Sequence, residues 1–296
     1  MFENVFFDEL QISNEIDRIV QFIDKQLVGC NKVVIGISGG LDCDVVARLA
    51  ARVSSIKELK LFTVIQDDME KSHLDNARTL ASDLNRELIE IPLQSIPFLI
   101  MDSVCSVDKN EGFSQKGLDG MRMKCNIRTT LYSLYQDHGY VVLGTTNKTE
   151  DYMGFFLPFG DGMAHIKPII HLYKSQVRQI GQALGTRKEV LEQVPSAGFW
   201  KGERDLEDMA WWLYNRGPIT CELETSIEED NFVEKIEKQL SVEKIDMVLW
   251  GISHMFSDKD IESETGIPKY ILSMFRELLE KSKRFKHRPI NISLVI

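Results

Sequence analysis

Hydrophobic positions along the chain switch repeatedly between strand-like runs and helical spacing. Ile12, Ile16, Ile19, Val20, Phe22 and Ile23 lie near one helical face, which predicts an amphipathic helix over 12–27 laid against a sheet. Val33-Val34-Ile35-Gly36-Ile37 is apolar and mostly β-branched, as a strand buried on both faces requires. Val45, Val46, Leu49 and Ala50 then recur at helical spacing. The alternation continues with strands over 59–65, 87–91 and 140–143 and helices over 75–84, 126–135 and 174–184. Residues 102–121 lack a period and are expected to form a long loop, either a binding loop or lid or a disordered stretch. Residues 155–168 read as an aromatic, glycine-containing loop, and residues 205–284 as mostly helical. Strand–helix–strand alternation with apolar strands implies an α/β fold, a doubly wound parallel sheet with helices on both faces. The expected organisation is a single domain, 1–296, whose helical C-terminal subregion covers about 205–296.

Polar residues gather where the strands end. Ser38-Gly39-Gly40 follows the first strand, and these small residues let a ligand approach the backbone. Strand, small-residue turn and helix together aim N–H groups and a helix N-terminus at an anion. No Lys opens the following helix, so this is not a Gly-Lys-Ser/Thr phosphate loop. Asp42 stands there instead and suggests a phosphate bridged by Mg²⁺. An ordinary strand–helix turn is the plainer alternative. Gln66-Asp67-Asp68 and Gly144-Thr145-Thr146-Asn147-Lys148-Thr149-Glu150 sit at two further strand ends, where an open α/β sheet presents its ligand crevice.

Composition narrows the class. The 296 residues are 43% hydrophobic and 27% charged, as in a globular protein, and the net charge of −10 argues against a nucleic-acid-coating surface. The five cysteines are far apart and form no C-x-x-C, so neither a zinc ribbon nor a disulfide framework is indicated and free thiols in the cytoplasm are expected. The first ten residues carry no signal-peptide pattern, and no apolar stretch is long enough to span a membrane.

The two polar strand ends carry a resemblance. Ser38-Gly39-Gly40-Leu41-Asp42-Cys43 resembles the Ser-Gly-Gly-x-Asp-Ser pyrophosphate loop of N-type ATP pyrophosphatases, and Gly144-Thr145-x-Asn147-Lys148-x-Glu150 resembles the more specific Gly-Thr-x-Asn-Lys-x-Glu of the NAD synthetase family. Gly160-Asp161-Gly162, Leu172-Tyr173-Lys174-x-Gln176-Val177, Pro195-Ser196-Ala197-Gly198-Phe199-Trp200, Ile245-Asp246 and Gly266-Ile267-Pro268 continue the match in order, nearly to the end of the chain.

The resemblance implies a two-step reaction. ATP adenylates the carboxylate of nicotinic acid adenine dinucleotide and releases pyrophosphate, and ammonia then displaces AMP. With the loop at residue 38, an N-terminal glutaminase domain is not expected, and ammonia would come from solution or from a separate partner. The resemblance also implies a homodimer with the dinucleotide site at the subunit interface. By the same resemblance Gly36, Ser38, Gly39, Gly40, Cys43, Thr145 and Ser196 are ATP-binding, and Asp42 and Glu150 share Mg²⁺. Asp42, Glu150 and Lys174 would be catalytic, with Asp42 and Lys174 also on the ATP. Asp161, His165, Asp205, Asp208 and Lys286 would face the acyl substrate.

Bland alternatives stand beside these roles: a helix-terminal acid for Glu150, a surface lysine for Lys174, a Gly-Asp-Gly turn for Asp161, an N-cap for Ser196 and a solvated acidic face for Asp205 and Asp208. Several positions depart from the family pattern. Cys43 replaces a Ser, Thr146 a frequent Gly, His165 an Asp and Phe285 a His, while Glu203-Arg204 replace a common Gln-Thr pair. Cys125 and Ile127 stand where two arginines are usual. These departures fall on the acyl-substrate side, leaving the Asp42 and Glu150 side intact. The runner-up is therefore an amide ligase acting on another carboxylate, and a third reading is a non-catalytic nucleotide-binding homologue.

Overall fold

A computed structural model of the chain describes residues 5–66, 69–109, 118–193, 204–217 and 225–283. The first helix is α1 (Glu9–Gln26), capped by Asp8 in a reciprocal capping box with Gln11. Then follow β1 (Lys32–Gly36), α2 (Leu41–Ala51), β2 (Glu58–Ile65), α3 (Lys71–Asp83), β3 (Leu88–Pro92), α4 (Ile96–Val107), α5 (Leu118–Asp137), β4 (Val141–Val142) and α6 (Lys148–Met153). The described part ends in α7 (Lys174–Ala183), α8 (Lys188–Leu191), α9 (Asp205–Asn215), α10 (Ile227–Glu237), α11 (Val242–Ser253), α12 (Asp258–Thr265) and α13 (Lys269–Ser282).

The four strands are parallel and ordered β3-β2-β1-β4, with Val33 opposite both Leu59 and Val141. Alternation along the strands feeds two cores. Val33, Ile35 and Leu61 pack with residues of α1, α2, α3 and α7 on one face. Val34, Phe62, Val64 and Val142 pack on the other with Leu131, Tyr132 and Tyr135 of α5. Helices therefore cover both faces, as the apolar strands require. A third core gathers α9 to α13 around Leu213, Val248 and Phe275 and takes in Met153 of α6 and Tyr173. Among the described residues no helix is long and apolar enough to cross a membrane.

One expectation is corrected. Residues 102–107 complete α4, and residues 118–121 begin α5, so the long loop over 102–121 is not formed; residues 110–117 lie outside the described residues. The physical reason lies just upstream. Ser95 is the N-cap of α4 and Pro97 occupies its first turn, where the missing proline N–H costs nothing. Pro97 and Met101 are its buried contacts, one helical turn apart, and both precede residue 102.

Candidate functional site

The sheet order reverses between β1 and β4, and the chain leaves both strands on the same edge, so a crevice forms at their carboxyl ends. Three helix N-termini meet there. The loop after β1 starts α2 with Asp42 in its first turn, the loop after β4 starts α6 with Glu150 in its first turn, and α7 starts at Lys174.

Lys174 Nζ forms an ion pair with Asp42 and stands 3.9 Å from Glu150 Oε1. Asn147 ties the group together: its Nδ2 donates to Asp42 Oδ1 at 3.2 Å and its Oδ1 accepts the Glu150 N–H at 3.0 Å. Glu150 Oε2 accepts the Asn147 N–H in return at 3.1 Å, closing a capping box. The charges are strongly interdependent. Burial and the Asp42 carboxylate push Glu150 well above the usual carboxylate range, while Lys174 pulls it back. Burial alone would lower Lys174, but Asp42, Glu150 and Asp205 outweigh it and hold the ammonium above its ordinary value. One ammonium thus sits between two carboxylates in a partly dry site.

The small-residue loop lies alongside. Gly40, the N-cap of α2, offers no side-chain cap, which leaves first-turn N–H groups open to an anion. Gly39 has φ +84°, and a Cβ there would meet the His73 carbonyl oxygen at 2.0 Å, so only glycine fits. The Cys43 thiol is buried and donates to the Gly40 carbonyl at 3.1 Å, which stiffens the turn from within. Burial also raises its pKa, so it stays a thiol.

A cleft opens beside this loop, with Gly36, Ser38, Thr145 and Asp161 among its lining residues and Arg128 and Tyr132 contributed by α5. The Tyr132 hydroxyl accepts the Gly36 N–H at 3.0 Å, and burial pushes its pKa to about 12, so it keeps its proton. Asp161 Oδ1 accepts the Leu157 N–H at 2.8 Å and the Cys125 thiol at 3.5 Å, the turn-stabilising arrangement open to a Gly-Asp-Gly segment. A second hollow touches Glu150 and Lys174 from the helical side, between Asp205, Met209, Val242 and Ile245.

Not every expected residue joins these cavities. The His165 ring Nδ1 accepts the Val142 N–H at 3.0 Å and borders neither cavity. Asp205 borders the second hollow, whereas Asp208, one turn on, does not. Ser196 and Lys286 lie outside the described residues, as do Glu203 and Phe285. Three residues without a role in the sequence reading matter here: Asn147, Thr149 and Asp246. The first is legible as N-x-x-E after a strand, a capping-box spacing. The last is legible as an acid amid the apolar positions Ile245, Val248 and Leu249, and it is fully buried.

Residues 15–249 match the NAD synthase family. The chain is 28% identical over 285 residues to the NH(3)-dependent NAD(+) synthetase of Pyrococcus horikoshii, covering 96% of each. It is 31% identical to the protein of the same name from Thermococcus sibiricus, over 95% of this chain and 97% of that one. Its fold is shared with an NMN synthetase from Francisella tularensis at a TM-score of 0.72, with 23% identity over 96% of this chain and 99% of the other.

Proposed function

The chain belongs to the NAD synthase family, and from that premise we propose that it joins ammonia to the carboxylate of nicotinic acid adenine dinucleotide, consuming ATP and yielding NAD, AMP and pyrophosphate. The observation that carries this reading is the Asp42–Lys174–Glu150 group at the switch point of the sheet, beside a loop with free helix N–H groups.

In the first step a substrate carboxylate oxygen attacks the α-phosphorus of ATP, and the bond to the bridging oxygen of pyrophosphate breaks. The Ser38–Gly40 turn and the first turn of α2 would hold the leaving phosphates. Lys174 would neutralise charge on them, and the Tyr132 hydroxyl would donate into the nucleotide cleft. In the second step ammonia attacks the acyl carbon, AMP leaves and the amide forms. Ammonia attacks in its unprotonated form, and one of its protons is lost to solvent as the amide forms.

Asp42 and Glu150 suit Mg²⁺, since they are hard oxygen donors and already share one cation, the Lys174 ammonium. Two carboxylates leave most of the coordination of such an ion to substrate phosphates and water. When bound there, Mg²⁺ would neutralise polyphosphate charge. We read the protein as a cytoplasmic homodimer, each chain a single domain with a helical C-terminal part.

A second reading has a specific observation in its favour. Cys125 and Ile127 are buried where the family pattern has two arginines, and Cys125 is engaged with Asp161. This favours a different carboxylate, with the acid whose amide is NMN as the first to compare. The test is AMP, pyrophosphate and NAD formation from ATP, Mg²⁺ and ammonium, with and without the dinucleotide. NAD formed in equal amount with AMP is the expected result. Release that depends on the mononucleotide instead would replace the substrate, and no release with either would overturn the reading.

A further inference from the structure

Glu150 and Lys174 ride on the first turns of α6 and α7, so their separation is only as fixed as those two helix ends. The first N–H groups of a helix have no partner within it, and Tyr173, the N-cap of α7, supplies no side-chain cap. Ser175 finds its partner in α11 and Lys174 finds its partner in α6. Asp246 of α11 is fully buried. Its Oδ2 accepts the Ser175 N–H at 2.8 Å and also the Ser175 hydroxyl. Its Oδ1 accepts the Thr149 hydroxyl at 2.5 Å. Thr149 Oγ1 then accepts the Lys174 N–H at 3.0 Å. One carboxylate therefore caps the first two N–H groups of α7, one directly and one through the residue that precedes Glu150.

We propose that Asp246 is a positioning residue: through Thr149 and Ser175 it locks α6 to α7 and thereby holds Glu150 and Lys174 in register across the site. The inference rests on the reading of Asp42, Glu150 and Lys174 as the reacting group. Packing alone does not call for a carboxylate at this point, because an apolar residue of similar volume commonly serves a buried position as well or better. Three donors converging from two helix starts do call for one. Those same helix ends carry positive partial charge, which favours an anion between them. Val242 and Ile245 of the same helix border the hollow behind Lys174, so α11 meets the site with its first turn.

The test compares Asp246→Asn, Thr149→Val, Thr149→Ser and the Asp246→Asn/Thr149→Val double variant. Asparagine keeps the shape but turns an amide N–H₂ toward groups that are themselves donors. Thr149→Val removes the relay hydroxyl at constant shape, and Thr149→Ser restores it. Three readouts are taken: thermal melts, hydrogen exchange of the 172–178 segment against the sheet, and steady-state AMP release. Asp246→Asn and Thr149→Val are expected to lower kcat by about tenfold to a hundredfold. KM for ATP should stay within about threefold. Exchange should quicken over 172–178 and not in β1 or β2, and the double variant should be no worse than the worse single one. Thr149→Ser should remain near the parent.

Folded variants with the parent kcat overturn the proposal, as does a loss that Thr149→Ser shares with Thr149→Val, or additive losses in the double variant. If Asp246→Asn does not fold, the Thr149 pair decides alone. Exchange is read without turnover, so unchanged protection at 172–178 overturns the clamp even in an inactive protein. Quickened exchange in a protein that never turns over the dinucleotide overturns the proposed function and leaves the clamp standing.

Discussion

Two carboxylates share one ammonium at this site, and Glu150 is the less well compensated of the two. Its folded pKa is raised by burial first and by Asp42 second, with Lys174 offsetting only part of the rise. An acid whose folded pKa exceeds its unfolded one destabilises the fold when ionised. That cost is absent well below the ordinary value of 4.5 and is fully present above the raised value. Glu150→Gln removes the charge and keeps an oxygen for the Asn147 N–H. The variant should melt a few degrees higher than the parent near neutral pH, with the advantage vanishing as the pH falls below the ordinary carboxylate range. AMP release should be lost. A lower melting temperature at neutral pH would mean that Lys174 overcompensates the pair. Gly39 tests the neighbouring loop. Alanine there must adopt φ +84° and push back the His73 carbonyl, which its Cβ would meet at 2.0 Å. Gly39→Ala should lose about 1–3 kcal/mol in urea melts and bind ATP more weakly, and an unchanged melt would show that the turn can rearrange.

Between elements, α2 is held in place by a buried ionic network as well as by its apolar face. Arg48 Nε donates to Asp44 at 2.7 Å, and its NH2 group donates to Asp83 of α3 at 2.9 Å. Arg187, just before α8, closes on the same Asp83 at 2.6 Å, and Thr186 donates to Asp44 at 2.5 Å. Arg187 foremost, with Arg48, holds the Asp83 pKa below its ordinary value. Arg48→Ala strands the buried Asp44 and should cost about 3–5 kcal/mol in chemical denaturation. A loss below about 1 kcal/mol would mean that water replaces the guanidinium. Asp44 and Arg48 are legible as a pair one turn apart on α2, but Asp83 and Arg187 share no motif with them and reach them only once the sheet is wound. The strands are legible because unbroken apolar runs such as Val33–Ile35 can be buried on both faces only in a sheet covered twice. The polar strand ends locate Asp42 and Glu150 for the same topological reason. α4 escapes the sequence reading because its cap and its buried Pro97 and Met101 precede the polar stretch that follows. The partner of Asp246 is illegible as well: an acid on an apolar helix face says that something must satisfy it, but not that two hydroxyls 71 and 97 residues away will do so.

At the scale of the whole molecule, the net charge of −10 is set against substrates that are themselves anionic. Binding must therefore depend on local fields: the uncapped N-terminus of α2 opens beside the cleft that Arg128 lines, and Lys174 stands next to Asp42 in its first turn. The apolar surface is also uneven. On α4, Phe98 is 38% exposed, Leu99 57% and Val107 83%, and Leu134 of the adjoining α5 is 56% exposed. An apolar strip of this kind on a helix pair is typical of a surface covered by another chain. The homodimer proposed above gives it an occupant, a second copy of the same face, since a two-fold interface must be self-complementary. A stable interface of this type buries about 1,600 Å² in total, and the exposed Leu134 extends the apolar surface from α4 to α5. The parent is expected to sediment at twice the 34.0 kDa chain mass. Leu99→Glu puts a charge into the middle of the strip and should shift sedimentation to the monomer at micromolar concentration, with the melting curve of the sheet preserved. Because α5 also carries Arg128 and Tyr132 into the nucleotide cleft, the monomeric variant should lose affinity for substrate before it loses stability. A dimer that survives Leu99→Glu would move the interface elsewhere and leave the α4 strip without a second chain to cover it.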